Sequence, residues 1–395
     1  MISFDEAISI IGSVARPLGT ETLTIDQAAS RVLAEPVVAA IDSPRADVSA
    51  MDGYAVRDAD LGSFPVELDV VGESYPGAGQ ARALSPGSCV RIFTGAPLPA
   101  GADRIVIQEV VRRDGGKAII DASPGPALYV RPRGKDFRAG DELLPRGRLL
   151  DPSALVAAAG ADTAHVAVYR KPRLALLVTG DELAEPGRAR EMALAVPDSV
   201  SASLAAFAER WGASIVERRR LRDELGAMTS AAGEIVGGTD VIVLTGGASV
   251  GERDFAKSMF EPLGLDLLFS RISIRPGKPA WLGRARGALV LGLPGNPTSA
   301  LVTARLLLAP LLAGLTGRPP GDALRWEPAR LSSALAPCDA RETFHRARLS
   351  DGCASLLEFQ ESHAQKALAD ADILLRQAAN SSGIDAGEIV QVLKI

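Results

Sequence analysis

The sequence is poor in the residues that usually build disulfide and metal centres. Among 395 residues it has three cysteines and three histidines. Cys89, Cys338 and Cys353 lie far apart and show no CxxC spacing, which argues against a disulfide framework and a thiolate metal site. The three histidines are also too scattered for a His-based centre. Metal chemistry would therefore have to use carboxylates.

An excess of charge of either sign is also lacking. The chain has 43 basic and 48 acidic side chains, a formal net charge of -5. We therefore expect neither nucleic acid nor a membrane surface as a partner, and any anionic ligand must be met by local cations. Aromatic residues make up only 4% and hydrophobic residues 47%, an ordinary globular composition. At roughly 150 residues per domain, this length predicts about two to four domains.

No clean hydrophobic run reaches the ~18 to 20 residues that a membrane-spanning helix needs. The longest candidate, around Ala288 to Ala304, is interrupted by Pro294-Gly295-Asn296-Pro297. Asp5 and Glu6 stand where a signal peptide would be basic and then apolar. These features predict a cytoplasmic enzyme.

The first 170 residues predict a helical segment interrupted by a β-rich module. Residues 2 to 40 have apolar positions at helical spacing, beginning with Phe4, and Pro36 ends the pattern. From about Ser43 to Pro145 short alternating runs are separated by Gly and Pro clusters. Asp151-Pro152-Ser153 then opens an alanine-rich helix. The β-rich module is therefore predicted to be an insertion.

The remainder predicts an α/β domain followed by a small β domain. Buried strands are expected at Leu174 to Val178, Ser214 to Leu221 and Asp240 to Leu244, with helices between them. Such alternation indicates a parallel sheet with helices on both faces. Alternating runs from about Arg325 to Ile395 predict the last β domain.

Gly-rich turns follow two of these strands, where ligands of parallel sheets bind. They are TGDEL (179–183) and TGGASVGERD (245–254). One such Gly can simply make a tight turn, and one Asp can simply cap a helix. However, Glu182, Asp223 and Asp254 all come just after predicted strand ends, and clustered carboxylates opposite phosphates are the usual way to hold Mg²⁺.

Two further segments are candidates for binding an anion. RPGKP (275–279) carries Arg275 and Lys278 on a loop stiffened by prolines, although a solvated turn is the alternative. GLPGNPTS (292–299) closes a strand and opens a long helix, whose N-terminus favours anions. Ser299 could also be only a capping residue. Asp52 and Asp136 lie in Gly-containing loops and, on chemistry alone, are more typical of turn residues.

Seven stretches together resemble the molybdopterin molybdenumtransferase family, that is, MoeA and the E domain of gephyrin. They occur in family order and span most of the chain: SAMDGYAVR (49–57), RIFTGAPLPAGAD (91–103), RGKDFRAGD (133–141), TGDEL (179–183), TGGASVGERDF (245–255), RPGKP (275–279) and GLPGNPTSA (292–300).

The resemblance implies an α/β multidomain fold in four parts. These are a helical linker domain (1–42 with 146–170), an inserted β-rich module (43–145), a Mog-like three-layer α/β domain (171–320) and a C-terminal β domain (321–395). It also implies an elongated homodimer, in which the β-rich module of one subunit faces the α/β domain of the other. A Mog-type molybdopterin adenylyltransferase and apo-molybdoenzymes are the further partners that it suggests.

The implied reaction inserts molybdenum from molybdate into adenylylated molybdopterin and releases AMP, with Mg²⁺ as cofactor. Glu182, Asp223 and Asp254 would hold Mg²⁺ and act beside the adenylate. The other implied residues fall into three groups: catalytic Lys278 with partner-side Asp52 and Asp136; substrate-binding Thr94, Arg275, Ser299 and Arg346; and Gly180, Gly246, Gly247 and Ser249 of the Gly-rich turns.

The chain departs from the family pattern at three places. Arg275 stands where Lys is usual, Val200 where Asn is usual, and the C-terminal stretch around Glu361 carries carboxylates in place of Gly and hydroxyl residues. A carboxylate near an oxyanion would weaken its binding by about 1 kcal/mol or more. These departures favour one alternative, a molybdopterin or cofactor carrier without catalysis. A nucleotide-dependent adenylyltransferase is the other alternative, because the resemblance includes a Mog-like domain that is shared with enzymes that activate molybdopterin.

Overall fold

A computed structural model describes residues 1–77, 82–246 and 255–395. The helices are α1 (Phe4–Val14), α2 (Pro152–Gly160), α3 (Ser201–Arg210), α4 (Leu225–Val236), α5 (Phe255–Ser258), α6 (Pro297–Thr303), α7 (Ala309–Leu315) and α8 (Gln365–Ala369). A π-helical turn, Ala304–Leu308, joins α6 to α7.

The strands before the α/β domain are β1 (Thr20–Thr24), β2 (Val37–Val38), β3 (Val48–Ser49), β4 (Gly53–Val56), β5 (Val66–Ser74), β6 (Ser88–Ile92), β7 (Arg104–Ile107), β8 (Val111–Asp114), β9 (Lys117–Ile120), β10 (Val130–Arg131), β11 (Glu142–Leu144) and β12 (His165–Tyr169). The later strands are β13 (Arg173–Thr179), β14 (Leu183–Ala184), β15 (Val196–Pro197), β16 (Ser214–Leu221), β17 (Val241–Thr245), β18 (Asp266–Phe269), β19 (Ile274–Arg275), β20 (Trp281–Ala285), β21 (Ala288–Leu293), β22 (Glu327–Leu331), β23 (Glu342–Ser350), β24 (Cys353–Leu356), β25 (Ile373–Gln377) and β26 (Ile389–Lys394).

The chain forms two compact units. The larger unit comprises Met1–Glu21, Ser30–Ala34 and Ala167–Ile395, and the smaller unit comprises Thr22–Ala29 and Glu35–Val166. The predicted four-part division, with its boundaries, stays a prediction.

The centre of the larger unit is a six-stranded sheet in the order β16-β13-β17-β21-β20-β18. The first four strands run parallel, as predicted, and β20 and β18 are antiparallel additions. Alternate residues of each strand enter separate cores. Leu176 and Val243 pack with α3 on one face, whereas Leu177 and Leu244 pack with α4 on the other. This is the predicted three-layer α/β arrangement.

A continuous apolar helix, Pro297–Leu315, supports one face of this sheet. By length and composition alone it could span a membrane, with a mean hydropathy of 1.6, but 94% of the window is buried inside the protein. It is therefore the core helix of this unit. Its first residue follows directly on the turn after β21, so packing of the helix positions that turn.

The C-terminal part of the larger unit is a second six-stranded sheet, in the order β19-β23-β24-β22-β26-β25, and β23 also pairs with β25. The segment from Leu267 to Ile274 is divided between the two sheets. Its first part forms β18, but Ile274 and Arg275 pair with Glu342 and Thr343 of β23.

The smaller unit contains the predicted β-rich module. Its main sheet has the order β7-β4-β6-β5-β9-β8 and buries Tyr54, Val106 and Ile120 on one side. Helix α2 begins at Pro152, and the side chain of Asp151 accepts a hydrogen bond from the Ala154 amide at 2.8 Å. The fold-class prediction of an α/β protein with a β-rich module and a C-terminal β domain is confirmed.

The expectation that residues 2 to 40 are helical was wrong beyond the first third. Helix α1 starts with a capping box, in which the Glu6 amide donates to Ser3 Oγ and the Ser3 amide donates to Glu6 Oε2. It ends at Val14, and strand β1 follows from Thr20. Thr20, Thr22 and Thr24 alternate with other residues, a pattern that favours a strand once it can pair.

Candidate active site

A cleft of about 640 Å³, called the first cleft, opens at the carboxyl ends of the parallel strands. Residues after β13, β16, β17 and β21 all contribute to it, as expected for ligand sites of parallel sheets. Its walls include Thr179, Gly180, Glu182, Asp198, Ser199, Asp223, Gly246, Pro279, Pro294 and Asn296. Two of the three predicted Mg²⁺ carboxylates, those of Glu182 and Asp223, therefore line one cavity.

Two hydroxyl groups of the first cleft are buried without a hydrogen-bond partner in the described ranges. They are Thr179 Oγ1 and Ser199 Oγ. Buried polar groups are normally paired, so two orphans at one cavity indicate a polar ligand. Beside them Asp198 accepts from the amides of Val200 and Ser201 at 3.2 and 3.0 Å. Its carboxylate is thus used to begin α3.

The glycines of the first cleft are required by close backbone approach. Gly246 has φ +88°, and a Cβ there would lie 2.4 Å from the carbonyl oxygen of Thr179. Gly180 has φ +148°, and a Cβ there would lie 2.9 Å from the carboxylate oxygens of Glu182. A side chain at position 246 would therefore clash with the backbone of Thr179, and one at position 180 would displace the carboxylate of Glu182.

A second cleft of about 970 Å³ lies between the end of the core sheet and the C-terminal sheet. Arg275, Lys278 and Ser299 line it, which brings together the three residues predicted to hold an oxyanion. Ser299 is only 5% exposed, and no hydrogen bond of its hydroxyl is present in the described part of the chain. Arg275 is held by the pairing of β19 with β23.

The two clefts adjoin each other. Pro279, Pro294 and Asn296 line both, so the acidic pair and the basic pair occupy neighbouring cavities with common walls. The Nδ2 of Asn296 donates to the Oγ of Ser362 at 3.0 Å. A ligand with one end in each cleft would pass this point.

The C-terminal sheet supplies residues that the sequence analysis did not identify. Arg341, paired with Asp339 at 2.9 Å, His345 and Gln377 line the second cleft. The Arg341 guanidinium also lowers the pKa of the Asp339 carboxyl. An isolated histidine or arginine carries no motif, so only the pairing of β23 with β19 and β25 could have found them.

Arg346 was predicted to contact substrate, but it does not line either cleft. Its side chain is 2% exposed, and its guanidinium donates to the carbonyl oxygens of Glu361 and Phe359 at 3.0 and 3.2 Å. Burial lowers the pKa of this guanidinium. The structure thus gives Arg346 the role of holding the loop that carries Glu361 and Ser362. Direct substrate contact by Arg346 stays a prediction.

Two predicted residues of the smaller unit contact each other. Thr94 donates to Asp52 Oδ1 from both its amide, at 2.7 Å, and its hydroxyl, at 2.9 Å. These two bonds, and beyond them the charge of Arg91, lower the pKa of Asp52. Asp136 is exposed, and its amide donates to the carbonyl oxygen of Ser43 at 2.9 Å.

Three predicted residues, Gly247, Ser249 and Asp254, lie outside the described residues. Within 1–77, 82–246 and 255–395, no group of three or more His, Cys, Asp or Glu side chains is arranged to hold a metal ion. A Mg²⁺ site that uses one or two carboxylates and completes its shell with phosphate and water would take its protein ligands from Glu182 and Asp223.

Three family models match consecutive parts of the chain. Residues 2–161 match the MoeA N-terminal region (domain I and II), residues 175–314 match a probable molybdopterin-binding domain, and residues 328–395 match the MoeA C-terminal region (domain IV). A molybdopterin molybdenumtransferase of Haemophilus influenzae is 32% identical and covers 99% of this chain and 98% of its own length. The chain belongs to the molybdopterin molybdenumtransferase family.

Other relatives agree with this placement in the family. A molybdopterin molybdenumtransferase of Nostoc sp. is 34% identical over 82% of this chain and 76% of its own length. A crystal structure of a MoeA protein from Pyrococcus horikoshii superposes with a TM-score of 0.83 at 30% identity and covers 100% of this chain and 99% of its own. The predicted family and the predicted class, a transferase of molybdenum cofactor biosynthesis, are confirmed.

Proposed function

We propose that this chain inserts molybdenum from molybdate into adenylylated molybdopterin, depends on Mg²⁺ and releases AMP. The observation that carries the proposal is the pair of adjoining clefts with different side chains. Glu182 and Asp223 line the first, Arg275 and Lys278 line the second, and Asn296 belongs to both. A substrate with a nucleotide phosphate at one end and a metal-accepting group at the other matches this division.

In the first cleft, Glu182 and Asp223 would hold Mg²⁺, together with Asp254, which lies outside the described residues. A bound Mg²⁺ supplies positive charge that neutralises the adenylate phosphate and makes AMP a better leaving group. The unpaired hydroxyls of Thr179 and Ser199 would orient the same phosphate. Because Gly246 has no side chain, its backbone can lie close to Thr179 in the wall of the cleft.

In the second cleft, Arg275 and Lys278 would bind molybdate as substrate. The hydroxyl of Ser299 and the first amides of α6 add donors, because Asn296 at the N-cap makes no side-chain cap hydrogen bond. A preorganised set of donors holds a doubly charged oxyanion without reorganisation at the moment of reaction. The loop carrying Ser362, held by Arg346, closes one side.

The proposal includes a cytoplasmic homodimer in which Asp52, Thr94 and Asp136 of one subunit act on the clefts of the other. A Mog-type adenylyltransferase would supply the substrate, and apo-molybdoenzymes would receive the product. The support is membership of the family. Light scattering in solution tests the dimer, and complementation between an Asp52→Asn chain and an Asp223→Asn chain tests the shared site.

The central experiment gives purified protein adenylylated molybdopterin, Mg²⁺ and molybdate, and measures both AMP and reconstitution of an apo-molybdoenzyme. Wild type should yield both. Asp223→Asn should lose AMP release, and Lys278→Ala should raise the molybdate concentration that is required. Glu185→Gln is the matched control, because Glu185 lies on the same loop as Glu182 but does not line the first cleft.

A second candidate function is a carrier of molybdopterin or of the finished cofactor. It is favoured by Glu358 and Glu361, whose positions in the wall of the second cleft place carboxylates among its cations. Tight binding of molybdopterin without AMP release would support the carrier. AMP release followed by a functional cofactor would exclude it.

A further inference from the structure

His345 lies in the wall of the second cleft and has no role in the function proposed above. We propose that His345 is an acid–base residue that moves a proton from a thiol of the substrate to an oxygen of molybdate as the metal is inserted. This inference rests on the proposed function and adds a catalytic residue to it.

Hydrogen bonds determine the tautomer of His345. Gln377 Nε2 donates to the carbonyl oxygen of Ala336 at 2.9 Å, so the other end of the amide, Oε1, faces His345 Nε2 at 2.8 Å. A carbonyl-type oxygen can only accept, and Nε2 must therefore carry the proton. Nδ1 is then left with a lone pair.

The second ring nitrogen, Nδ1, is the one that Gln377 does not occupy. It has no hydrogen bond within 1–77, 82–246 and 255–395, and the ring belongs to a residue that lines the second cleft. The hydrogen bond to Gln377 fixes the orientation of the imidazole ring, and therefore also the direction of Nδ1. A fixed neutral imidazole with a free Nδ1 can take up a proton.

The surroundings oppose protonation of His345. Burial is the largest cause that lowers its pKa, and the positive charges of Arg275 and Arg346 lower it further, against the opposing bond to Gln377. The other charged or titratable groups that line the second cleft are Lys278, Cys338, the paired Asp339 and Arg341, Glu358 and Glu361. Burial and the two neighbouring guanidinium groups therefore favour the neutral imidazole.

The proposed step balances without an oxidant or a reductant. A dithiol and molybdate give a metal bound by two sulfurs and three oxygens, and one water molecule is released. The total charge is -2 before and after the step, which is the charge of molybdate. Two S–H bonds break, two metal–sulfur bonds form, one metal–oxygen bond breaks and two O–H bonds form in water. Nδ1 of His345 accepts one thiol proton and returns it to the departing oxygen, and the second thiol proton passes directly to the same oxygen, which leaves as water.

The test measures metal insertion and molybdate binding separately. His345→Gln keeps a polar side chain of similar size, and it should lower kcat for cofactor formation about 100-fold, a typical loss for an acid–base group. The molybdate KM should stay within about threefold of wild type, since Arg275 and Lys278 remain. His363→Gln is the matched control, because His363 is exposed and does not line the second cleft.

A second variant tests the pH profile of kcat, which would not change if His345 had only a structural role. Gln377→Glu places a carboxylate against Nε2–H and should raise the pKa of His345. A base must be unprotonated, so the acidic limb of the kcat profile should move to higher pH in Gln377→Glu. The same limb should be absent in His345→Gln.

Three outcomes overturn the inference while wild type is active. They are an unchanged kcat in His345→Gln, an acidic limb that does not move in Gln377→Glu, and a loss of molybdate binding equal to the loss of rate. If wild type itself forms no cofactor but binds molybdate, the proposed function fails instead, and the inference fails with it.

Discussion

The side-chain amide of Asn296 donates to the hydroxyl of Ser362 at 3.0 Å. This bond joins the start of the buried helix Pro297–Leu315 to the loop after β24, and Asn296 lines both clefts. Asn at an N-cap normally accepts from the helix amides, but here its side chain makes no cap bond. The residue links the C-terminal sheet to the core sheet at the place where the clefts meet.

Asn296→Ala should therefore weaken molybdate use more than protein stability. One hydrogen bond contributes about 0.5–1.5 kcal/mol, so the molybdate KM should rise about 2- to 10-fold. Steady-state kinetics on Asn296→Ala, Ser362→Ala and the double variant measure it. The double variant should resemble either single one, and fully additive effects would show that the two residues act independently.

Thr94→Val should raise the pKa of Asp52 towards its ordinary value. The Thr94 amide and hydroxyl are the largest causes of the lowered value, and the valine removes the hydroxyl. Because the folded pKa is lowered, the stabilising effect of Asp52 is present above its unfolded pKa and is lost as pH falls through the folded pKa. Carboxyl NMR titration measures the shift, with Thr94→Ser as the control that retains both donors.

Gly246→Ala should close the first cleft. The new Cβ would lie 2.4 Å from the Thr179 carbonyl oxygen and 2.5 Å from its Oγ1, and φ is +88°. We expect a loss of about 2–4 kcal/mol and no AMP release. Gly264→Ala is the control, since it shares a positive φ of 74° but has nothing within 4 Å of the new Cβ. The free energy of unfolding, measured with denaturant for both variants, separates the two effects. Gly264→Ala should lose only the backbone cost of about 1 kcal/mol, and the further loss in Gly246→Ala is due to the clash.

Arg346→Met should destabilise the larger unit by about 2–3 kcal/mol. The substitution keeps much of the apolar stem but removes the two bonds that a guanidinium of a 2% exposed residue donates to the carbonyl oxygens of Phe359 and Glu361. Arg348→Met on the same strand is the control, because its side chain is 57% exposed and its pair with Asp370 contributes little. Equal midpoints of urea unfolding for the two variants would contradict the holding role of Arg346.

Much of the first cleft could be predicted from local pattern. Three buried runs separated by helices predict a parallel sheet, and its carboxyl ends must share one edge. Glu182 and Asp223 were found because each follows such a strand. The buried, unpaired hydroxyl of Ser199 was not found from the sequence, because its burial depends on how α3 packs against the sheet.

The second cleft was predicted only in part. Arg275, Lys278 and Ser299 stood out as cations and a hydroxyl in stiff turns. His345, Arg341 and Gln377 did not, because single polar residues on a strand have no spacing that distinguishes them. The helix expected over residues 2 to 40 failed for a related reason, since alternating threonines favour a strand only where a partner strand is available.

By itself, the sequence determined the order of strands, helices and Gly-rich turns, and hence the parallel sheet with ligand-binding turns along one edge. These features follow from periodicity and backbone conformation within a few residues. The tertiary structure alone decided that Arg275 pairs into the C-terminal sheet, that Asn296 stands between two clefts, and which nitrogen of His345 is free. Those depend on contacts between residues more than thirty positions apart in the chain, for which a local pattern contains no signal.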